Sequence, residues 1–252
     1  MVIIEQGHEI LKMDDAVLIE RAGRTCYKSE SKIGCTLKGT ACPHKLPVPC
    51  GLNIGAVAEC EYHSSFAFAE KVLKSGHHSV IEHANATVHF TTDRGVTHEL
   101  VRHRLCAFSQ ESTRYCDYNK SGDIQFIKPV WWDDCKNLDE PINPSIVLYE
   151  PLDCVTPEKR WIITMIEAEE HYKYLRREGW APEKARSVLP NSLKTEIVVT
   201  ANFREWRHIL SLRAIGTTGK PHPQMQALMI PLLEEFKNKC PAVFGDLNLK
   251  KE

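Results

Sequence analysis

Apolar residues recur along this chain at two periods, and the periods predict its elements. Over residues 84–92, ANATVHFTT, Ala86, Val88 and Phe90 fall on one side and Thr87, His89 and Thr91 on the other. That is the alternation of a half-buried strand. LKTEIVVTA, residues 193–201, predicts a second strand. In RWIITMIEAEEHYKYLRREG, Trp161, Met165, Ala168, Tyr172 and Leu175 recur at spacings of four and three, the strongest helical pattern in the chain. Asn202, with Glu205 three residues on, starts a helix over FREWRHILSLRAI that Gly216 would end. Helices are also expected over 66–75, at PEKARSV behind Pro182, over about 224–239, and across RGVTHELVRHRL (94–105). In that last stretch Val96, Leu100 and His103 share a face.

Two stretches interrupt the periodicity. Residues 31–55 are rich in Gly, Pro, Cys and Thr, and 128–160 carry several prolines and acids. Both read as loop-rich insertions within a single domain covering 1–252. Strands and helices mix without a regular βαβ rhythm, and there is no G-x-G-x-x-G or Walker sequence. A Rossmann-type site is therefore not expected. No apolar run approaches the roughly 18–20 residues of a membrane span. The opening MVIIEQGHEILKMDDAV lacks the long apolar core of a secretory signal. A cytoplasmic protein with no membrane partner is expected.

The charge balance narrows the partners. The 252 residues carry 32 Lys+Arg against 33 Asp+Glu, a net charge of −1, which disfavours a general polyanion or nucleic-acid binder but not a local basic pocket. Ten cysteines, Cys26, Cys35, Cys42, Cys50, Cys60, Cys106, Cys116, Cys135, Cys154 and Cys240, include no C-x-x-C pair. They read as reduced thiols packed as small apolar groups.

Against that near-neutral background, RHRLCAFSQESTRY (102–115) concentrates Arg102, Arg104 and Arg114 with His103, Ser109, Gln110, Ser112 and Thr113. Guanidinium forks bind phosphate bidentately and stay charged, so this segment suits phosphorylated small molecules. The alternative is a set of surface arginines paired with Glu99 and Glu111, which would add little stability. Upstream, GHHSVIEHA places His77, His78, Glu82 and His83 close together. Neither H-E-x-x-H nor H-x-x-E-H is present, so no metal is expected there. Either the imidazoles and Ser79 contact a cofactor, or they cap a loop. On the predicted helix after Asn202, Arg204, His208 and Arg213 form a stripe with polar tips. A solvated amphipathic face would look the same.

Together these segments resemble the flavin-dependent thymidylate synthases, whose signature is R-H-R, seven residues, then Ser. Here it is Arg102-His103-Arg104, LCAFSQE, Ser112. GHHSVIEH, THELVRHR, STRY, ARSVLPNSLKTEIVVTANFREW and LSLR match in order, within a likeness running from about Glu20 to about Pro241. The resemblance implies an α+β fold with a mainly antiparallel sheet flanked by helices, and a homotetramer with sites at subunit interfaces. It implies reductive methylation of dUMP to dTMP, with 5,10-methylenetetrahydrofolate as carbon donor and NADPH-reduced FAD as hydride source. Carried over by motif position, FAD would contact Ser79, Arg102, His103, Arg104, Gln110, Asn202, Arg204 and His208. Substrate dUMP would lie among Glu99, Arg102, Gln110, Glu111, Ser112, Thr113, Arg114, Arg186 and Arg213. Arg213 would be the catalytic group, set against the uracil to favour its ionised form.

The chain departs from that family at several points. Ala107 stands where many members have Ser, Glu99 where others have Gln, and Gln226 where Arg is common. A flavoprotein that oxidises NADPH without methyl transfer, a zinc hydrolase using the histidine cluster, and an RNA-binding module remain the alternatives.

Overall fold

A computed structural model describes residues 1–34, 64–120, 122–132 and 156–249. In chain order the elements are strands β1 (Val2–Ile4) and β2 (Gly7–Met13), helices α1 (Ala16–Cys26) and α2 (Ser64–Lys74), strand β3 (Asn85–Asp93), helix α3 (Arg94–Leu100), and strands β4 (Ala107–Gln110) and β5 (Gln125–Ile127). Helices α4 (Pro157–Arg177) and α5 (Pro182–Ala185), strand β6 (Lys194–Asn202), and helices α6 (Phe203–Leu210), α7 (Pro223–Lys239) and α8 (Pro241–Phe244) follow. A four-stranded sheet has the order β2-β3-β6-β4, and β1 pairs with β5 in parallel. The fold is α+β, with an antiparallel sheet flanked by helices.

The alternation over β3 is realised as read: Ala86, Val88, Phe90 and Thr92 are buried and the residues between them are not. The helical spacing across 94–105 is cut short. Helix α3 starts on Asp93, whose carboxylate accepts from the Val96 amide, and ends at Leu100. The residues after it turn, so His103 is buried as a polar contact rather than as a third apolar position on a helix face. The expected insertion at 31–55 lies outside the described residues beyond Gly34, and so does most of 128–160.

The backbone divides into two compact units. The first comprises Met1–Gly7, Phe90–Arg102 and Ser109–Ile197. In its core Met165 and Tyr172 of α4 pack with Ile124, Phe126, Ala185 and Leu193, with Trp161 and Leu175 partly buried against them. Each such apolar side chain removed from water contributes on the order of 1.5–3 kcal/mol.

The second unit comprises His8–His89, His103–Phe108 and Val198–Glu252. Its core is aromatic. Phe203 and Trp206 of α6 meet Phe244 and Phe236 at ring-centroid distances of 5.1 and 5.3 Å, tilted or edge-on, the arrangement aromatic quadrupoles prefer. The Trp206 indole N–H donates to the Ala86 carbonyl at 3.0 Å. That buried bond sets the rotation of α6 and so decides which of its residues face outward.

Candidate active site

In the second unit the site is built on α6. Asn202 caps the helix, its Oδ1 accepting from the Glu205 amide at 2.9 Å, as the sequence predicted. Phe203, Trp206, Ile209 and Leu210 turn inward, while Arg204 and His208 are exposed. After Leu210 the helix widens into a π turn, Ser211–Ile215, that ends on Gly216 with φ 73°. A Cβ at Gly216 would meet the Gly219 carbonyl oxygen at 2.7 Å and Pro221 Cδ at 2.9 Å, so only glycine fits. Such single π turns re-aim side chains and recur at functional sites. This one carries Arg213. Gln226, read as a departure from the family pattern, donates from Nε2 to the Ala214 carbonyl at 3.0 Å and so ties the π turn to α7.

Arg213 Nε donates to His103 Nε2 at 3.2 Å. On the other side of the ring, His103 Nδ1 lies 3.5 Å from Glu205 Oε1. His103 and Glu205 are each only 6% exposed. Burial, then the Arg213 charge, then His208, push the His103 pKa down from 6.5 to about 4, so the imidazole is neutral at pH 7. The His208 ring stands edge-on to it at 5.8 Å. Cys106 in the same unit has its pKa raised to about 12 by burial and then by Glu205. It is therefore a protonated thiol rather than a nucleophile.

Possible ligand atoms of His103, Glu205 and His208 lie within 4.8 Å of one another. A guanidinium already donating into His103 Nε2 opposes a second cation there. Of the other residues expected at the flavin, Ser79 is exposed in a 3₁₀ turn, His78–His83. Arg204 pairs with Glu82 at 2.5 Å, both well exposed. Arg104 is exposed, and its guanidinium has no partner among the described residues.

The residues expected at dUMP gather mostly in the first unit. Gln110 donates from Nε2 to Thr97 Oγ1 at 2.9 Å and to Thr195 Oγ1 at 3.3 Å. Arg186, in a 3₁₀ turn behind α5, donates to the buried Thr113 hydroxyl at 2.9 Å. Ser112 Oγ accepts from the Arg114 amide at 3.3 Å. The Arg114 head lies over the Tyr115 ring and 3.8 Å from Glu183. Arg102 is exposed with no side-chain partner among the described residues, whereas Glu99 is partly buried.

Glu111 is occupied structurally. Tyr118 donates to one carboxylate oxygen at 2.6 Å and Lys194 to the other at 3.2 Å. Burial works against the Lys194 ammonium, but Glu196 and Glu111 outweigh it and raise its pKa. Glu111, Tyr118 and Lys194, with Asp123 and Gln125, line a polar hollow of about 200 Å³. Sequence reasoning passed over Tyr118 and Lys194 and read Glu205 as a capping residue only. The available signal was a carboxylate among Phe203, Trp206 and Ile209 on an amphipathic helix, an acid placed on the buried face.

Comparison with known proteins decides the family. A profile described as "Thymidylate synthase complementing protein" matches residues 10–242. The chain belongs to the flavin-dependent thymidylate synthases. It is 32% identical over 237 residues to the flavin-dependent thymidylate synthase of Mycobacterium avium, covering 92% of this chain and 79% of that one. With the Corynebacterium efficiens enzyme of the same name it shares 31% over 238 residues, covering 92% and 80%. Among solved structures, the fold is shared with a UMP/dUMP methylase, PolB, from Streptomyces cacaoi. The form bound with 5-Br dUMP gives a TM-score of 0.66 at 19% identity, over 97% of this chain and 96% of that one.

Proposed function

We propose that this chain converts dUMP to dTMP, taking the one-carbon unit from 5,10-methylenetetrahydrofolate and reducing equivalents from NADPH through bound FAD. Its relatives carry the name of that activity. The observation that carries the reading is a cation, Arg213, held on a neutral buried imidazole in a cluster whose cysteine is a protonated thiol. Forming a carbon–carbon bond at C5 of uracil requires electron density there. A fixed cation beside the pyrimidine stabilises negative charge at N3 and O4 and supplies that density without a side-chain nucleophile. Ser112, which accepts a backbone N–H beside Thr113 and Arg114, is placed to bind rather than to attack.

The donor set fits a diphosphate-bearing cofactor. Arg104 has a guanidinium without a partner among the described residues, the Arg204 pair with Glu82 is solvent-exposed and readily exchanged for an anion, and Ser79 adds a hydroxyl. Those residues, with Arg102, His103, Gln110, Asn202 and His208, would hold FAD. When bound, FAD supplies hydride transfer. In the first unit Arg186, Thr113, Ser112 and Arg114 provide charged and neutral donors for the dUMP phosphate. Glu99, Gln110 and the Glu111 backbone complete the substrate set. In the homotetramer we infer for this cytosolic enzyme, sites draw residues from more than one subunit.

The test is dTMP formation by the purified protein from dUMP, methylenetetrahydrofolate and NADPH, with and without added FAD. Flavin-dependent dTMP is expected. A yellow protein that consumes NADPH without making dTMP would refute methyl transfer, and a protein that binds no flavin would refute the whole reading.

A further inference from the structure

A guanidinium has donors and no acceptor. The contact between Arg213 Nε and His103 Nε2 at 3.2 Å therefore uses the Nε2 lone pair. A neutral imidazole with Nε2 unprotonated carries its proton on Nδ1, and Nδ1 faces the Glu205 carboxylate at 3.5 Å. Glu205 is buried, while its backbone is fixed by the Asn202 cap. His103 and two residues more than 100 positions further along the chain thus form a polarised chain running from carboxylate through imidazole to guanidinium.

We propose that Glu205 is a positioning residue for Arg213: its carboxylate, 3.5 Å from Nδ1, favours the proton staying on Nδ1 of His103 and leaves Nε2 as the acceptor that holds the Arg213 head. Glu205 touches neither substrate nor flavin in this scheme and acts only through His103. The opposite tautomer would point an N–H at the Arg213 N–H and push the two apart. A doubly protonated ring would set one cation against another. Among the described residues, the charged or titratable groups facing the His103 ring are Arg213, Glu205 and His208. Burial, then the Arg213 charge, then His208 already hold the ring neutral at pH 7. The role left for Glu205 is therefore to choose the tautomer. Its catalytic consequence rests on the proposed role of Arg213 in dUMP methylation; the tautomer does not.

Side-chain ¹⁵N spectra of the FAD-loaded protein at pH 7 test the tautomer directly. A protonated Nδ1 and a bare Nε2 are expected for His103. A proton on Nε2, or on both nitrogens, overturns the proposal whatever the enzyme's activity. Glu205→Gln keeps an acceptor for Nδ1–H and should keep the tautomer and most of kcat. Glu205→Ala removes the acceptor and should mix the tautomers. Loosening of the Arg213 head then lowers kcat by ~10-fold or more, the scale of an ångström-level misplacement, with KM for dUMP nearly unchanged. A merely structural role predicts the reverse: lower Tm in both variants, with tautomer and kcat intact in whatever protein folds. Wild-type protein that shows the expected tautomer but makes no dTMP would sink the functional reading and leave the tautomer assignment standing.

Discussion

Arg213 and Arg186 each donate a hydrogen bond to a neighbouring side chain, but their surroundings differ. Arg213 sits half-buried on a π turn closed by an obligatory glycine, and its acceptor is a neutral histidine that is itself buried. Arg186 is exposed on a 3₁₀ turn and donates to a threonine hydroxyl. The first arrangement fixes a charge where reorganisation would be costly, which is what stabilising a transition state requires. The second leaves a guanidinium accessible, with its remaining donors unpaired among the described residues, which is what binding a phosphate requires. The contrast separates rate from affinity, and each side can be attacked by itself.

The largest effect is expected from Arg213→Ala. Removing one preorganised group that stabilises developing charge costs about 100- to 1,000-fold in kcat. Flavin content, read from visible absorbance after purification, should stay at the wild-type level. Normal turnover in this variant would place the charge-stabilising role elsewhere. Loss of flavin with proportional loss of activity would make Arg213 a cofactor anchor, and the contrast with Arg186 would collapse.

Arg186→Ala should act on the other parameter. A hydrogen bond to a charged group is worth about 1.5–3 kcal/mol, so KM for dUMP should rise roughly 10- to 100-fold while kcat changes far less. Deoxyuridine, which lacks the phosphate, should be used equally poorly by the variant and the wild type. A fall in kcat at saturating dUMP would show that Arg186 shares the work of Arg213.

How much of this could be read from the sequence follows element by element. β3, β6, α4, α6 and α7 each run eight residues or more, long enough for a period of 2 or 3.6 to declare itself. β1, β4 and β5 have three or four residues and no period to read. They exist because partner strands pair with them. The helix expected to run through His103 failed for a different reason. His103 matched the spacing of Val96 and Leu100, but it is buried to accept a hydrogen bond and not to fill a core. Residue types at the site were legible as well, since guanidinium-rich, hydroxyl-rich segments imply anions. The link from Glu205 through His103 to Arg213 was not. His103 and Arg213 are 110 residues apart, and a three-dimensional hydrogen bond leaves no local pattern. Glu205 was hidden further because its spacing from Asn202 reads as a capping partner, whereas its carboxylate lies by His103.

The smallest effect is expected at Ser112, the residue that completes the family signature. Its hydroxyl accepts the Arg114 amide at 3.3 Å, so its local part is to shape the turn that presents Thr113 and Arg114. Replacing it with Ala removes a neutral hydrogen bond, typically worth ~0.5–1.5 kcal/mol, and should weaken dUMP binding by a few-fold up to about 10-fold. Turnover at saturating substrate should persist. A nucleophile behaves otherwise: its removal abolishes turnover while leaving binding intact. Steady-state kinetics of Ser112→Ala therefore distinguish the two chemistries. Full loss of kcat with unchanged dUMP affinity would move the reaction from a charge held by Arg213 to a covalent bond at Ser112. The open, anion-accepting character of the first unit would then be a misreading of where the chemistry happens.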